Sequence, residues 1–190
     1  MILKNILPQP MESMEQVFLS LGSNLGDRLA NLRMAIASLR RFAQITAISD
    51  AYETQPVEFT AQPWFLNAVV GLRIADAGCA EDAPGRLLSR LLDIECAMGR
   101  QRASLDFIAK GPRLIDLDIV LYGSRVIHSP ALTIPHPAMH LRRFVLQPLA
   151  QIAPAVRHPL LHRSALQLLQ DLPEPGPLVR RLAAFSSPQE

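Results

Sequence analysis

One stretch of the chain combines an apolar strand with two acidic side chains: Gly111-Pro112-Arg113-Leu114-Ile115-Asp116-Leu117-Asp118-Ile119-Val120-Leu121-Tyr122. Apart from its aspartates, every residue from Leu114 to Tyr122 is apolar or aromatic, which predicts a buried β-strand. Successive strand side chains point to opposite faces, so Asp116 and Asp118 share a face, with Cα atoms about 6.6 Å apart. Two carboxylates in such a setting are costly unless cations neutralise them.

Carboxylate oxygens suit Mg²⁺, which takes one or two protein carboxylates and completes its shell with water and substrate phosphate. Two such ions about 3.5–4 Å apart could clamp a phosphoryl group. The pair alone is equally consistent with two carboxylates at a strand end that are solvated or paired with arginine.

The composition is that of a single globular domain. The chain has 190 residues, of which 49% are hydrophobic and 19% charged, enough for a sizeable core. A net charge of +2 gives no argument for nucleic acid or an anionic membrane, and no apolar run is long enough to predict a membrane span. Cys79 and Cys96 lack metal-ligand spacing and indicate reduced thiols in a cytoplasmic protein, although one disulfide stays open.

Hydrophobic periodicity predicts the element order β-α-β-β-α-β. This is the ferredoxin-like order of an α+β sandwich, in which an antiparallel sheet carries two helices on one face. We expect an N-terminal extension over 1–16, a main domain over 17–160, and a C-terminal extension over 161–190 that packs on this domain or trails from it. The predicted strands are 17–21, 45–52, 65–74 and 114–122, and the predicted helices are 29–39, 84–98, 144–152 and 164–170.

Cations flank the acidic pair. Arg100 and Arg102 precede it in a polar loop, and Lys110 and Arg113 stand directly before the strand. Arginine forks match phosphate oxygens, so an acidic pair with a basic loop suits Mg²⁺ and a polyphosphate. A solvated charged loop is the alternative. The chain has no Walker A motif, so any use of ATP would be without a P-loop.

Two further segments are candidates for ligand binding. Between Thr54 and Asn67, the ring of Phe65 and the Asn67 amide are suited to stack on a flat heterocycle and to read its edge. Alternatively, Phe65 is a core residue and Asn67 a buried structural amide. His136 lies between two prolines, ahead of Arg142, and could bond a phosphate oxygen or be a surface histidine.

Taken together, these segments resemble the 6-hydroxymethyl-7,8-dihydropterin pyrophosphokinase family of the folate pathway. The resemblance runs from about Val17 to Pro154 and its elements occur in the family's order. They are Leu-Gly-Ser-Asn at 21–24, Tyr-Glu-Thr at 52–54, Phe-Leu-Asn at 65–67, Glu95 with Gly-Arg-Gln-Arg at 99–102, the 111–119 stretch, and Ile-Pro-His-Pro at 134–137 with Arg142 and Phe144.

The resemblance implies transfer of the ATP pyrophosphoryl group to the pterin hydroxymethyl oxygen, with release of AMP. Asp116 and Asp118 would hold two Mg²⁺ ions, with Asp116 also near the pterin, and Arg100 and Arg102 would act from a flexible closing loop. The pterin pocket would be lined by Thr54, Val57, Phe65, Asn67 and Phe144. ATP would be surrounded by Glu95, Arg100, Arg102, Arg113, Ile119, Thr133, His136 and Arg142. The expected partners are these small molecules, without nucleic acid or membrane, and the expected state is a cytoplasmic monomer.

The chain departs from the family pattern at several contacts. Leu92 replaces a glutamine, Phe65 a tyrosine, Pro137 a tyrosine and Ala131 an arginine, while Lys110 stands where a loop tryptophan is common. Nucleotide contacts and loop closure are therefore where differences are expected. Two other readings stay open: a Mg²⁺-dependent phosphohydrolase or nuclease that uses water as the nucleophile, and a non-catalytic pterin- or nucleotide-binding module.

Overall fold

A computed structural model describes residues 15–57, 60–74, 82–100, 111–174, 176 and 179–183. Six of the described strands form one antiparallel sheet, in the order β5-β1-β4-β3-β8 with β2 also paired to β4, and two short strands form a hairpin. The strands are β1 (Glu15–Ser23), β2 (Gln44–Ile48), β3 (Ala51–Thr54), β4 (Phe65–Ile74), β5 (Asp116–Tyr122), β6 (Ile127–His128), β7 (Thr133–Ile134) and β8 (Val179–Ala183). The helices are α1 (Arg28–Leu39), α2 (Ala83–Ala97), α3 (Arg143–Ile152) and α4 (Ala165–Gln170), with a short 3-10 helix at Met139–Leu141.

The ferredoxin-like order is confirmed, with one difference. The strand predicted at 45–52 is divided into β2 and β3, which both pair with β4. At the division, Ser49 donates its backbone N–H to the Val69 carbonyl at 2.9 Å, and the Ser49 hydroxyl accepts from the Val69 N–H at 2.9 Å. A serine side chain thus takes the place of a backbone partner, which interrupts the ladder without leaving a buried N–H unpaired.

Both faces of the sheet are covered. Helices α1 and α2 pack on one face over side chains such as Leu19 and Leu117, as predicted. Helices α3 and α4 cover the other face, where Leu146 and Leu168 pack on Phe18 and other strand residues. This second layer explains why β1, β4 and β5 read as nearly continuous apolar runs, since alternation is lost when both faces are buried.

Local signals fix the helix ends. Asp27 caps α1 by accepting from the Ala30 N–H at 3.0 Å. Pro84 stands in the first turn of α2, and Gly99, with φ of +95°, follows its C-cap in the left-handed conformation that glycine tolerates. Ser164 and Gln167 form a capping box at α4.

The sequence did not predict β8, which pairs with β3 and extends the sheet at its edge. Helix α4, predicted over 164–170, packs against the layer formed by α3. The extension expected over 1–16 lies almost wholly outside the described residues. Within the described part of the chain, no helix is long and apolar enough to cross a membrane.

Candidate active site

Strand register brings the predicted site residues onto one face of the sheet. Gly22 of β1 lies opposite Asn67 of β4 and opposite Asp116 of β5. On the same pattern, Ser20 lies opposite Asp118, and Thr54 of β3 lies opposite Phe65. Residues opposite each other in an antiparallel pair share a face, so these side chains converge where the α3–α4 layer ends.

They form the floor of an open cleft with an empty volume of about 670 Å³, counting its mouth. That is the size range of small-molecule sites. The cleft contains all five residues predicted to contact the pterin, together with Arg113, Arg142 and both aspartates. Its lining is completed by Ser20, Gly22, Gln55, Pro56 and Gln62.

A buried amide holds the centre of the floor. Asn67 donates from Nδ2 to the Thr54 hydroxyl at 2.6 Å, and both residues are almost fully buried. Gly22 is needed beside them, because a Cβ at this position would lie 2.8 Å from the Asn67 Oδ1 atom. The amide is therefore fixed in orientation, which is what recognition of a heterocycle edge requires.

Asp116 is bridged by two arginines. Arg100 contacts its Oδ1 atom, and Arg113 reaches its Oδ2 atom at 2.6 Å. Arg113 also stands 5.2 Å from the centroid of the Phe65 ring, so one guanidinium touches both the acidic pair and the predicted stacking surface. The carboxylate is thus paired with arginine rather than solvated.

Asp118 is in a different environment. Burial, with the negative charge of Asp116 added, raises its pKa from an ordinary 3.8 to about 6, against the opposing effect of Arg113 and Arg142. Within the described ranges, no group of three or more histidine, cysteine or acidic side chains could hold a metal ion. The aspartate pair is still sufficient for Mg²⁺, which commonly uses one or two carboxylates beside substrate phosphates.

Glu95 connects α2 to the acidic strand. Its Oε1 atom accepts from the Leu117 N–H at 2.8 Å and from Arg100 at 2.7 Å. Although burial lowers the pKa of Arg100, the nearby Asp116 and Glu95 raise it above its ordinary value. Glu95 therefore positions Arg100 and anchors the strand from below.

His136 and Arg142 adjoin one another at the rim. The His136 Nε2 atom lies 3.4 Å from an Arg142 nitrogen, and His136 Nδ1 accepts from the Ala138 N–H at 3.1 Å. Burial, together with the Arg142 charge, lowers the pKa of His136 to about 4, so the ring is neutral at physiological pH. Arg142 in turn stands 5.5 Å from the Phe144 ring centroid.

Among the described residues, five that were predicted for the site do not line the cleft: Glu95, Arg100, Ile119, Thr133 and His136. Arg100 contacts Asp116 from beside the cleft, with Glu95 bonded to it. Ile119 packs in the core under α1 and α2. Thr133 lies in the β6–β7 hairpin. Arg102 falls outside the described residues, as does Lys110.

Sequence reasoning missed the role of Asn24, which was noted only as part of the Leu-Gly-Ser-Asn motif. Its Oδ1 atom accepts from the Arg113 N–H at 2.7 Å, and its Nδ2 atom donates to Gln62 at 3.0 Å and to the Pro63 carbonyl at 3.2 Å. Asn24 thus joins the end of β1 to the two segments that flank the cleft. The available signal was a polar amide directly after the buried strand in Leu-Gly-Ser-Asn.

The fold and the site define an α+β protein in which a cleft sets aromatic and amide side chains beside an arginine-bridged acidic pair. Comparison with known proteins agrees: residues 18–154 match the family described as 7,8-dihydro-6-hydroxymethylpterin-pyrophosphokinase (HPPK). The chain belongs to this family.

Two relatives show the extent of the match. A 2-amino-4-hydroxy-6-hydroxymethyldihydropteridine pyrophosphokinase of Aquifex aeolicus is 37% identical over 150 residues, which cover 79% of this chain and 88% of that protein. The folic acid synthesis protein fol1 of Schizosaccharomyces pombe is 38% identical over 172 residues, or 90% of this chain. The chain spans only 22% of the length of that second relative.

Among solved structures, wild-type Plasmodium falciparum HPPK-DHPS with SDX-DHP has a TM-score of 0.66 at 15% identity. The likeness covers 85% of this chain and 45% of the other. At this identity it supports the fold alone.

Proposed function

We propose that this chain transfers the pyrophosphoryl group of ATP to 6-hydroxymethyl-7,8-dihydropterin, giving AMP and the pterin diphosphate in tetrahydrofolate synthesis. The observation that carries the proposal is the register that sets Thr54, Phe65 and Asn67 beside Asp116 and Asp118 in one cleft. A heterocycle held by Phe65 and Asn67 would present its hydroxymethyl arm to the two aspartates. Family membership supports the same reaction.

The pterin would lie against the rings of Phe65 and Phe144. Asn67, held by Thr54, would bond the polar edge of the heterocycle, and Val57 would close its outer side. Aromatic stacking gives affinity for any flat ring, whereas a buried and oriented amide rejects rings whose donors and acceptors do not match. The slot therefore accounts for substrate choice.

Asp116 and Asp118 would hold two Mg²⁺ ions. Asp118 supports the fit of these residues to Mg²⁺. Its pKa is raised to about 6 by burial and by the neighbouring Asp116, so a nearby cation would stabilise its charged form. When bound, the ions would neutralise polyphosphate charge and make the attacking hydroxyl more acidic.

Arg100 and Arg113 would bind the phosphates of ATP. Both are paired with Asp116, so they already stand beside the acidic pair and would lose little rotamer freedom on binding. They would take up negative charge as the bond from the hydroxymethyl oxygen to the β-phosphorus forms and AMP leaves. Arg102 would join them from the closing loop, and Glu95, Ile119, Thr133, His136 and Arg142 would surround the nucleotide.

Two other functions remain as outcomes of the test. A phosphohydrolase would use the same aspartates but would not need the Phe65–Asn67 slot. A non-catalytic binding module would not need the buried Glu95–Arg100–Asp116 network. We also propose, from the sequence resemblance, that the protein is a cytoplasmic monomer, which sedimentation of the purified protein and its localisation in cells would check.

The test incubates purified protein with ATP, Mg²⁺ and 6-hydroxymethyl-7,8-dihydropterin and follows AMP by chromatography. We expect AMP that requires the pterin and is abolished by EDTA. AMP or phosphate formed equally without pterin would favour the hydrolase. Pterin binding without AMP would favour the binding module.

A further inference from the structure

The chain beyond the family match contributes to the candidate pterin slot. The match ends at residue 154, yet β8 follows and pairs with β3. In this pairing Val179 lies opposite Thr54, and Arg180 lies opposite Glu53. Because opposite residues of an antiparallel pair share a face, Val179 lies on the same sheet face as the Thr54 side chain that bonds Asn67.

A second cavity lies directly behind the slot, with an empty volume of about 600 Å³ counting its mouth. Leu172, Pro173, Gly176 and Val179 form its outer side. Its inner side shares five residues with the active-site cleft: Thr54, Gln55, Val57, Arg142 and Phe144. Three of the five residues predicted to contact the pterin therefore stand between the cleft and the C-terminal segment.

Besides the β3–β8 pairing, three of the contacts seen among the described residues attach this segment to the domain. Glu174 pairs with Arg143 at 2.5 Å, directly before Phe144 in the chain. Arg181 pairs with the buried carboxylate of Asp50, which also accepts from the side-chain amide of Gln151 in α3 at 2.5 Å. The Arg180 guanidinium stands 5.5 Å from the ring of Trp64, the residue before Phe65. Two of the three contacts thus end beside a residue of the slot.

We propose that residues 172–174, 176 and 179–181, here termed the C-terminal wall, are a specificity-determining part of the pterin slot. The wall positions Thr54, Val57 and Phe144 from behind, and so it sets the affinity for pterin without contacting ATP. This inference rests on the proposed function. It adds to that function a segment that lies outside the family match.

The test compares two substitutions on the same strand. Val179→Trp fills the second cavity and presses on the slot, whereas Leu182→Trp adds similar bulk at a side chain that is 52% exposed. The affinities for 6-hydroxymethylpterin and for a non-hydrolysable ATP analogue with Mg²⁺ are measured by calorimetry, with thermal unfolding as a check on folding.

We expect Val179→Trp to raise the pterin Kd at least tenfold and to leave the nucleotide Kd within twofold. Leu182→Trp should leave both within twofold. An unchanged pterin Kd in folded Val179→Trp, or an equal loss for both ligands, would overturn the inference and leave the proposed function standing. A wild-type protein that binds no pterin would instead overturn the proposed function, and this inference with it.

A charge exchange provides an independent readout. Glu174 is largely exposed, so Glu174→Arg is compatible with folding while it places a second cation against Arg143. We expect at least threefold weaker pterin binding, which the double exchange Arg143→Glu with Glu174→Arg should restore to within twofold of wild type. Weakened binding that the double variant does not restore would show that the ion pair does not position the slot.

Discussion

Replacing Gly22 by alanine should damage pterin recognition while the sheet stays intact. The added Cβ would lie 2.8 Å from the Asn67 Oδ1 atom, whereas ordinary contacts begin near 3.4 Å, so the amide must move by several tenths of an ångström. The amide is buried and bonded to Thr54 at 2.6 Å, which leaves it little room to move without turning. Turning it would misalign its bonds to the heterocycle edge.

The magnitude follows from those bonds. One or two hydrogen bonds at about 0.5–1.5 kcal/mol each correspond to roughly 0.5–3 kcal/mol, or about a 2- to 150-fold rise in pterin Kd. The assay is calorimetric titration with 6-hydroxymethylpterin, and the ATP-analogue affinity should stay within twofold. Gly71→Ala is the matched control, because its Cβ would meet the Thr46 hydroxyl at 2.9 Å elsewhere on the same sheet.

Gly71→Ala should lower the melting temperature without changing the pterin Kd. A Gly22→Ala protein that is folded and binds pterin as wild type would refute the placement of the heterocycle on Asn67. Equal losses of pterin affinity in both variants would indicate that general destabilisation of the sheet causes the effect.

Three further substitutions test the acidic pair and its arginines. Asp118→Asn should lower kcat by roughly 100-fold or more, because one of the two proposed Mg²⁺ ligands is lost, yet raise the melting temperature in EDTA. Since the pKa of Asp118 is raised to about 6, its ionisation costs stability as pH rises from about 4 to 6, so the gain should be larger at pH 8 than at pH 5. Glu95→Gln keeps an acceptor for the Leu117 N–H but removes the charge that holds Arg100, and should lower kcat about tenfold with the pterin Kd unchanged. Arg102→Ala should lower kcat by more than roughly tenfold, about 1.4 kcal/mol of barrier, without changing the melting temperature.

Each of these three predictions would be contradicted by a specific result. Near-normal turnover of Asp118→Asn at saturating Mg²⁺ would remove it from the metal site, and a melting-temperature gain independent of pH would contradict its raised pKa. Unchanged kcat in Glu95→Gln would show that Arg100 needs no positioning. A change confined to melting temperature in Arg102→Ala would argue against a catalytic role.

The site face was predictable because it depends on a local rule. Alternation along a strand placed Asp116 and Asp118 together before any tertiary contact was known, whereas Phe65 and Asn67 were grouped by the chemistry of their side chains. The structure adds the pairing of Gly22 with Asn67 and with Asp116. This pairing brings the aromatic and amide side chains into the same cleft as the acidic pair. That pairing depends on strand order, which the β-α-β-β-α-β pattern indicated.

The remaining features depend on distant contacts that local patterns do not contain. The division of the second strand at Ser49 is set by its bonds to Val69 on β4. The role of Asn24 is set by Arg113, which is 89 residues away. Strand β8 follows a proline-rich run and carries two arginines, so its sequence lacks an apolar strand signal, and its pairing with β3 fixes it instead.

The central claim is that the heterocycle slot and the acidic pair form one catalytic site for pyrophosphoryl transfer. The most direct test is a quenched reaction with ATP labelled at the γ-phosphate, Mg²⁺ and 6-hydroxymethyl-7,8-dihydropterin, with all products separated. We predict that the label appears in a pterin diphosphate, in equal amount to the AMP formed. Label recovered as free phosphate or pyrophosphate, with the pterin unmodified, would contradict the account.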